Sequence, residues 1–173
     1  MSSRHTLYKG QVVDLGIEQV HLPNQRSFDL EIVRHPGGAG ALALDSEGQV
    51  CLVRQYRHAA GGWIWEVSAG KLDPGEEPLK TAQRELEEEA GLRANAWTSL
   101  GSLYSTPGFC DELVHLFLAR ELTAVSHHAE EHELIEVHWL PFAEALAWAY
   151  SGEILDAKSV VALFRTAHLL EVR

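Results

Sequence analysis

The chain has 173 residues, 46% of them apolar and 23% charged, a balance that fits one soluble globular domain with its own core. Its 14 Lys and Arg stand against 25 Asp and Glu, a net charge of -11. That excludes nucleic-acid binding through a broad basic surface, though a small phosphorylated ligand remains compatible. No stretch reaches the ~20 apolar residues that span a bilayer, and the opening MSSRHTLYKG has no apolar run of the secretory kind. The expectation is a cytoplasmic protein that engages neither membrane nor nucleic acid. Cys51 and Cys110 lie in apolar surroundings without metal-ligand spacing and read as two buried, reduced thiols.

Taken in chain order, residues 7–35 read as short strands, with Val12 and Val13 after a glycine, a turn at Pro23-Asn24, and alternation over Phe28–Val33. Gly37, Gly38 and Gly40 lead into a strand at Ala41–Leu44. A hairpin turn at Asp45–Gly48 returns along Val50–Val53, and Trp63–Val67 is a further strand. Lys71–Gly75 reads as a loop. Pro78 opens a helix whose apolar face is Leu79, Ala82, Leu86 and Ala90, and Gly91 ends it. Strands follow at Trp97–Tyr104, Leu113–Leu118 and Ile135–Leu140. Pro141 starts a helix through Tyr150, and Ser159–Leu170 forms the last. This order predicts an α+β layered domain with a mixed sheet rather than a regular alternation of strand and helix.

One segment breaks a local rule. Glu85, Glu87, Glu88 and Glu89 crowd the end of the central helix, where the backbone dipole disfavours negative charge and like charges one turn apart repel by roughly 0.2–0.5 kcal/mol per pair. Glu85 and Glu89 stand four residues apart, with Glu88 between them, so their carboxylates share a side of the helix. Such an oxygen-rich cluster suits Mg²⁺ or Mn²⁺. Arg84, four residues before Glu88, is placed to brace it. A solvated acidic helix face is the competing explanation.

The spacing of Gly70, Glu76, Arg84-Glu85-Leu86, Glu88-Glu89 and Gly91-Leu92 resembles the Nudix box at every fixed position. The resemblance implies the Nudix fold, an α/β/α sandwich with a mixed sheet, and metal-dependent hydrolysis of a nucleoside diphosphate linked to another group. It also implies roles. Glu85, Glu89 and the carbonyl of Ala69 would hold metal, Glu88 would either ligate it or stand beside it, and Glu76 and Arg84 would orient the others. Gly70 is expected to turn the chain tightly so that the Ala69 carbonyl faces the metal. One domain over 1–173 is expected, with N-terminal strands over 1–35 and a catalytic core over 36–173.

Features outside the box, Val53–Arg57, Glu66–Gly70 and Thr106–Phe109 with Pro107 sixteen positions beyond Gly91, resemble the ADP-ribose pyrophosphatase subfamily. The implied reaction is hydrolysis of ADP-ribose to AMP and ribose 5-phosphate. Arg54, Gln55 and Arg57 are candidates for the diphosphate and nucleotide, Phe109 for packing on substrate, and Glu112 for ribose hydroxyls. The resemblance implies that the acidic run before the strand at Ile135 supplies Glu131 as general base and Glu133 as its metal-facing partner. Exchanged roles, or catalysis by the box glutamates alone under this loop as a lid, are the alternatives. The histidines around it raise a zinc alternative. The resemblance further implies a homodimer in which the N-terminal strands reach the second subunit. Another nucleoside diphosphate sugar such as GDP-mannose, broad specificity, and a ligand-sensing domain without turnover are the alternative readings.

Overall fold

Among the described residues of the computed structural model, 4–126 and 134–172, ten strands and three helices form two sheets and two helical layers. Strands β1 (Arg4–Lys9), β2 (Asp14–His21) and β3 (Ser27–Arg34) make an antiparallel sheet in that order. Val12 and Val13 fall in the connection between β1 and β2 rather than in a strand, because Gly10 closes the turn through its N–H to the Val13 carbonyl. Glu18 is buried at the centre of this sheet. It accepts from Arg4 Nε at 3.0 Å and from Arg34 Nη2 at 2.6 Å, a pair of arginines that the register brings to one carboxylate.

The second sheet runs β10–β5–β4–β9–β8, with β6 added to β5 and β7 to β4. Its members are β4 (Gly38–Leu44), β5 (Gln49–Arg57), β6 (Gly62–Glu66), β7 (Ser68–Lys71), β8 (Leu92–Tyr104), β9 (Leu113–Ala124) and β10 (Ile135–Pro141). β4 and β9 run parallel and the other pairs antiparallel, so the sheet is mixed. Helix α1 (Pro78–Ala90) covers one face, and α2 (Phe142–Ser151) and α3 (Ala157–Leu169) cover the other. The predicted three-layer arrangement is the one observed.

The central strand β4 explains how the layers fit. Its sequence GAGALAL is buried throughout. Successive side chains alternate in face, so Ala39, Ala41 and Ala43 meet Ala82 and Leu86 of α1, while Leu42 and Leu44 enter the larger core with Leu146 of α2 and Leu163 of α3. Each fully buried leucine contributes roughly 1.5–3 kcal/mol of hydrophobic stabilisation. Gly40 has no room for a side chain, since a Cβ would lie 2.8 Å from that of Ala69 across the β4–β7 pair.

Three departures from the sequence reading have local causes. β7 occupies what reads as the approach to a loop, because its four residues pair with β4 instead of packing by a periodic pattern. β8 begins directly after Gly91, whose left-handed φ of 64° ends α1 and turns the chain into the strand. Cys110 is half-buried, whereas Cys51 is buried and its thiol is pushed up to about 12 by desolvation. Both cysteines are free.

Candidate active site

The buried stripe of α1 is Thr81, Ala82, Leu86 and Glu89, not the all-apolar face that the spacing suggests. Glu89 is 3% exposed and accepts a hydrogen bond from the Ala69 backbone N–H at 3.0 Å. The helix is therefore tied to β7 by one of the carboxylates that breaks the local rule. The neighbouring residue Gly70 has a φ outside the positive range, so the tight turn expected of it does not occur. Its requirement for glycine is steric. A Cβ at Gly70 would lie 1.8 Å from Glu85 Oε1 and 2.1 Å from Cδ, so the bare backbone is what lets that carboxylate stand against β7.

Arg84 binds the carboxylates together. Its Nη1 donates to Glu85 Oε1 at 2.7 Å and to Glu88 Oε2 at 3.1 Å, and its Nη2 donates to Glu76 Oε2 and the Lys71 carbonyl, each at 3.3 Å. Burial works against this guanidinium, yet Glu76 and Glu85 hold it charged far above its ordinary range. Glu76 Oε2 also accepts from Thr81 Oγ1 at 2.7 Å and from the Asp73 N–H at 3.2 Å, closing the loop before α1. The Thr81 hydrogen bond, with Arg84 and Asp73 against the opposing effect of burial, lowers the Glu76 carboxyl. The predicted brace is thus wider than one pair, with one cation serving three carboxylates.

These groups border a cavity of about 650 Å³, within the range of small-molecule sites. Ala69, Gly70, Arg84, Glu85 and Glu88 are among its lining residues. So are Arg57, Glu66, Asp156 and Lys158, the last two from the start of α3. Arg57 grips Glu66 with Nε to Oε1 at 2.7 Å and Nη2 to Oε2 at 3.0 Å. Lys158 pairs with both Glu66 and Asp156. Burial opposes ionisation of Glu66, but Arg57 and Lys158 outweigh it and hold the carboxyl below its ordinary value.

His35, Ser105 and Glu112 line it as well, together with Val12 from the β1–β2 connection. Ser105 Oγ donates to Glu112 Oε2 at 2.5 Å. His35 Nδ1 lies 3.1 Å from the Gly37 N–H and 3.5 Å from Glu112 Oε1. That nitrogen accepts in one tautomer and donates in the other, so the two contacts are alternatives.

Of the residues expected to touch substrate, Arg57 and Glu112 line the cavity, and Arg54, Gln55 and Phe109 do not. Successive residues of β5 alternate in face, and Arg54 lies over the rings of Trp63 and Trp65 at 5.8 and 5.7 Å, beside Glu136. Gln55 is 3% exposed, and its Oε1 has no partner among the described residues. Phe109 is 53% exposed, and its backbone carbonyl accepts from Val33. Glu131, Glu133 and the histidines of that run lie outside the described residues. Asp156, Lys158, His35 and Ser105 are cavity residues that the sequence reading does not single out, scattered over three separate segments, and Glu66 enters it only as part of the stretch before the box.

The donors fit a divalent cation by chemistry, all being hard oxygens, and the bare Gly70 leaves the Glu85 carboxylate its place beside Ala69. Among the described residues no three His, Cys, Asp or Glu side chains converge as a ready cage. Glu85 and Glu88 pair with Arg84 instead.

A family model described as the NUDIX domain matches residues 34–162. The chain is 42% identical to an ADP-ribose pyrophosphatase of Bacillus subtilis (strain 168), covering 93% of this chain and 88% of that one. It is 39% identical to a methanol dehydrogenase activator of Bacillus methanolicus, covering 91% and 86%. It is also 39% identical to an ADP-ribose pyrophosphatase of Mycobacterium tuberculosis, covering 91% and 78%. A crystal structure of an ADP compounds hydrolase superposes with a TM-score of 0.84 over 98% of this chain and 92% of that chain, at 23% identity, and shares the fold.

Proposed function

The chain belongs to the Nudix family of hydrolases that act on diphosphate bonds, and from that membership we propose that its cavity hydrolyses ADP-ribose to AMP and ribose 5-phosphate. The observation that carries the reading is the lining of the cavity, which brings the box carboxylates Glu85 and Glu88 and the guanidinium of Arg57 into one space. A cation held by the carboxylates and a diphosphate gripped by Arg57 would share it.

The family depends on a divalent metal, and Mg²⁺, with Mn²⁺ as substitute, is the ion proposed here. Glu85, Glu89 and the Ala69 carbonyl would hold it, with Glu88 alongside. When bound, such a cation neutralises charge on the diphosphate and makes water a better nucleophile at neutral pH. The chain's own part is to place the groups. Arg84 keeps Glu85 and Glu88 aligned, and Glu76 anchors Arg84. Arg57 donates to phosphate oxygens, as a guanidinium fork does. Glu112 accepts from ribose hydroxyls. Glu131 takes the proton of the attacking water, with Glu133 as its metal-facing partner.

A cytoplasmic homodimer is also proposed. Its support is the N-terminal sheet, where Leu7 and Tyr8 are 50% and 60% exposed, apolar surface that a second copy would cover. Arg54 and Phe109, outside this chain's cavity, are then available to a neighbour. Light scattering on the purified chain tests this; a monomer at micromolar concentration overturns it.

The decisive experiment is a panel of ADP-ribose, ADP-glucose, GDP-mannose, NADH, diadenosine polyphosphates and nucleoside triphosphates with Mg²⁺ and product identification. ADP-ribose is expected to be turned over most efficiently, with AMP as product. A higher kcat/KM for GDP-mannose overturns the substrate, and no turnover of any member overturns the enzyme reading.

A further inference from the structure

Four charged side chains on the cavity wall form a ladder to which the box contributes nothing. Asp156 caps α3, accepting from the Ser159 N–H at 3.0 Å and from its hydroxyl at 2.5 Å. Lys158 meets Asp156 Oδ1 at 3.0 Å and also pairs with Glu66. Glu66, 2% exposed, takes the Nε and Nη2 edge of Arg57. Two anions and two cations alternate, so the ladder is neutral as it stands.

The geometry fixes Arg57 in a particular way. A guanidinium is planar and presents its donors in a rigid fork. With the Nε and Nη2 edge committed to Glu66, Nη1 is the part with no partner among the described residues. Lys158 in turn neutralises part of the Glu66 charge, which leaves more of the Arg57 charge for another anion. Ser159 Oγ, held by Asp156, accepts from the Val67 N–H at 2.8 Å. Val67 is two residues before Ala69, which Glu89 holds from the other side. The start of α3 and the end of α1 therefore clamp the same short stretch of backbone.

We propose that Glu66 and Lys158 are positioning residues that hold the Arg57 guanidinium with its Nη1 edge turned to a diphosphate oxygen of the substrate. The proposal rests on the reading that Arg57 grips the diphosphate, and it adds α3 to the machinery of that site. Lys158 acts through Glu66 and Arg57 and touches no reacting atom.

A double-mutant cycle on the full-length protein with Mg²⁺ tests it. For Lys158→Met, KM for ADP-ribose is expected to rise about tenfold, the scale of one charge-assisted hydrogen bond, with kcat within about twofold. Lys158→Arg, which keeps a cation between the two carboxylates, restores KM to within about twofold. In an Arg57→Gln background, adding Lys158→Met raises KM no further, because the residue through which it acts is gone. Melting temperatures check that each variant folds, and Glu66→Gln, expected to mimic the KM defect, is the second probe if Lys158→Met does not fold.

A tenfold penalty that persists in the Arg57→Gln background, or a fall in kcat without a rise in KM, overturns the proposal. If the parental enzyme leaves ADP-ribose intact, the substrate reading has failed on its own. The same cycle is then read as the dissociation constant of inorganic pyrophosphate, with the same pattern expected.

Discussion

The two charged walls of the cavity are built on different ratios. On the α1 side one guanidinium, Arg84, serves Glu76, Glu85 and Glu88. On the α3 side two cations, Arg57 and Lys158, serve Glu66 and Asp156. The first wall carries unmatched negative charge, and the second is balanced. The surplus of carboxylates suits a cation, and a polyanion meets less repulsion at the balanced wall, where a cation at the first would offset the rest. The walls also differ in how they are held. Three of the four charged residues in the α1 brace lie on one helix, whereas the α3 ladder joins β5, β6 and the start of α3.

The comparison can be broken most severely at Glu89. Glu89→Gln keeps an oxygen to accept from the Ala69 N–H but removes the charge, so turnover of ADP-ribose with Mg²⁺ should fall about a thousandfold, the several kcal/mol that metal catalysis supplies. The melting temperature should change little. Near-parental rates in a steady-state assay would remove Glu89 from the metal site.

Gly70→Ala comes next. The added Cβ meets Glu85 Oε1 at 1.8 Å, so the carboxylate must move, and a displacement near 1 Å costs about a hundredfold in rate. Unchanged kinetics would show that Glu85 has room to spare and that the glycine serves another purpose. Arg84→Lys is smaller again. It keeps the charge but loses the fork, and the Mg²⁺ concentration for half-maximal activity should rise about tenfold, as for residues that orient metal ligands. A metal titration that superposes on the parental curve would contradict the role of Arg84 as brace.

The smallest effect is on stability and belongs to the balanced wall. Glu66 titrates in the folded protein below its ordinary 4.5, because Arg57 and Lys158 outweigh the cost of burial. A lowered folded pKa contributes stability that is present above the unfolded value and lost as pH falls through the folded one. The melting-temperature gap between the parental chain and Glu66→Gln should therefore be widest near neutral pH and narrow below about 4.5. A gap that stays constant in acid would mean the carboxylate is not ionised in the fold.

Much of the fold was legible because its signals are local. Glycine and proline mark the ends of α1, and alternation marks most strands. The box was legible for the same reason, since Arg84, Glu85, Glu88 and Glu89 sit within two turns of one helix. β7 escaped because a four-residue strand owes its form to its neighbour β4 and not to its own pattern. The burial of Glu89 escaped because spacing reports which residues share a face, not which polar one finds a backbone donor there. The α3 ladder was illegible for a topological reason: Glu66 and Lys158 are 92 residues apart and meet only after β6 and α3 are packed. Arg54 and Arg57 look equivalent in the sequence, and the pleat of β5 separates them to opposite faces.

The alternation of β4 has a mechanical consequence. With Ala39, Ala41 and Ala43 turned to one face, the strand acts as a thin shim under α1, while its leucines set a thicker spacer under α2 and α3. The stand-off of the whole acidic helix from β4 is gauged by three methyl groups. One larger side chain at Ala41 would lift Arg84 and its carboxylates as a unit, detuning the site without touching any residue in it.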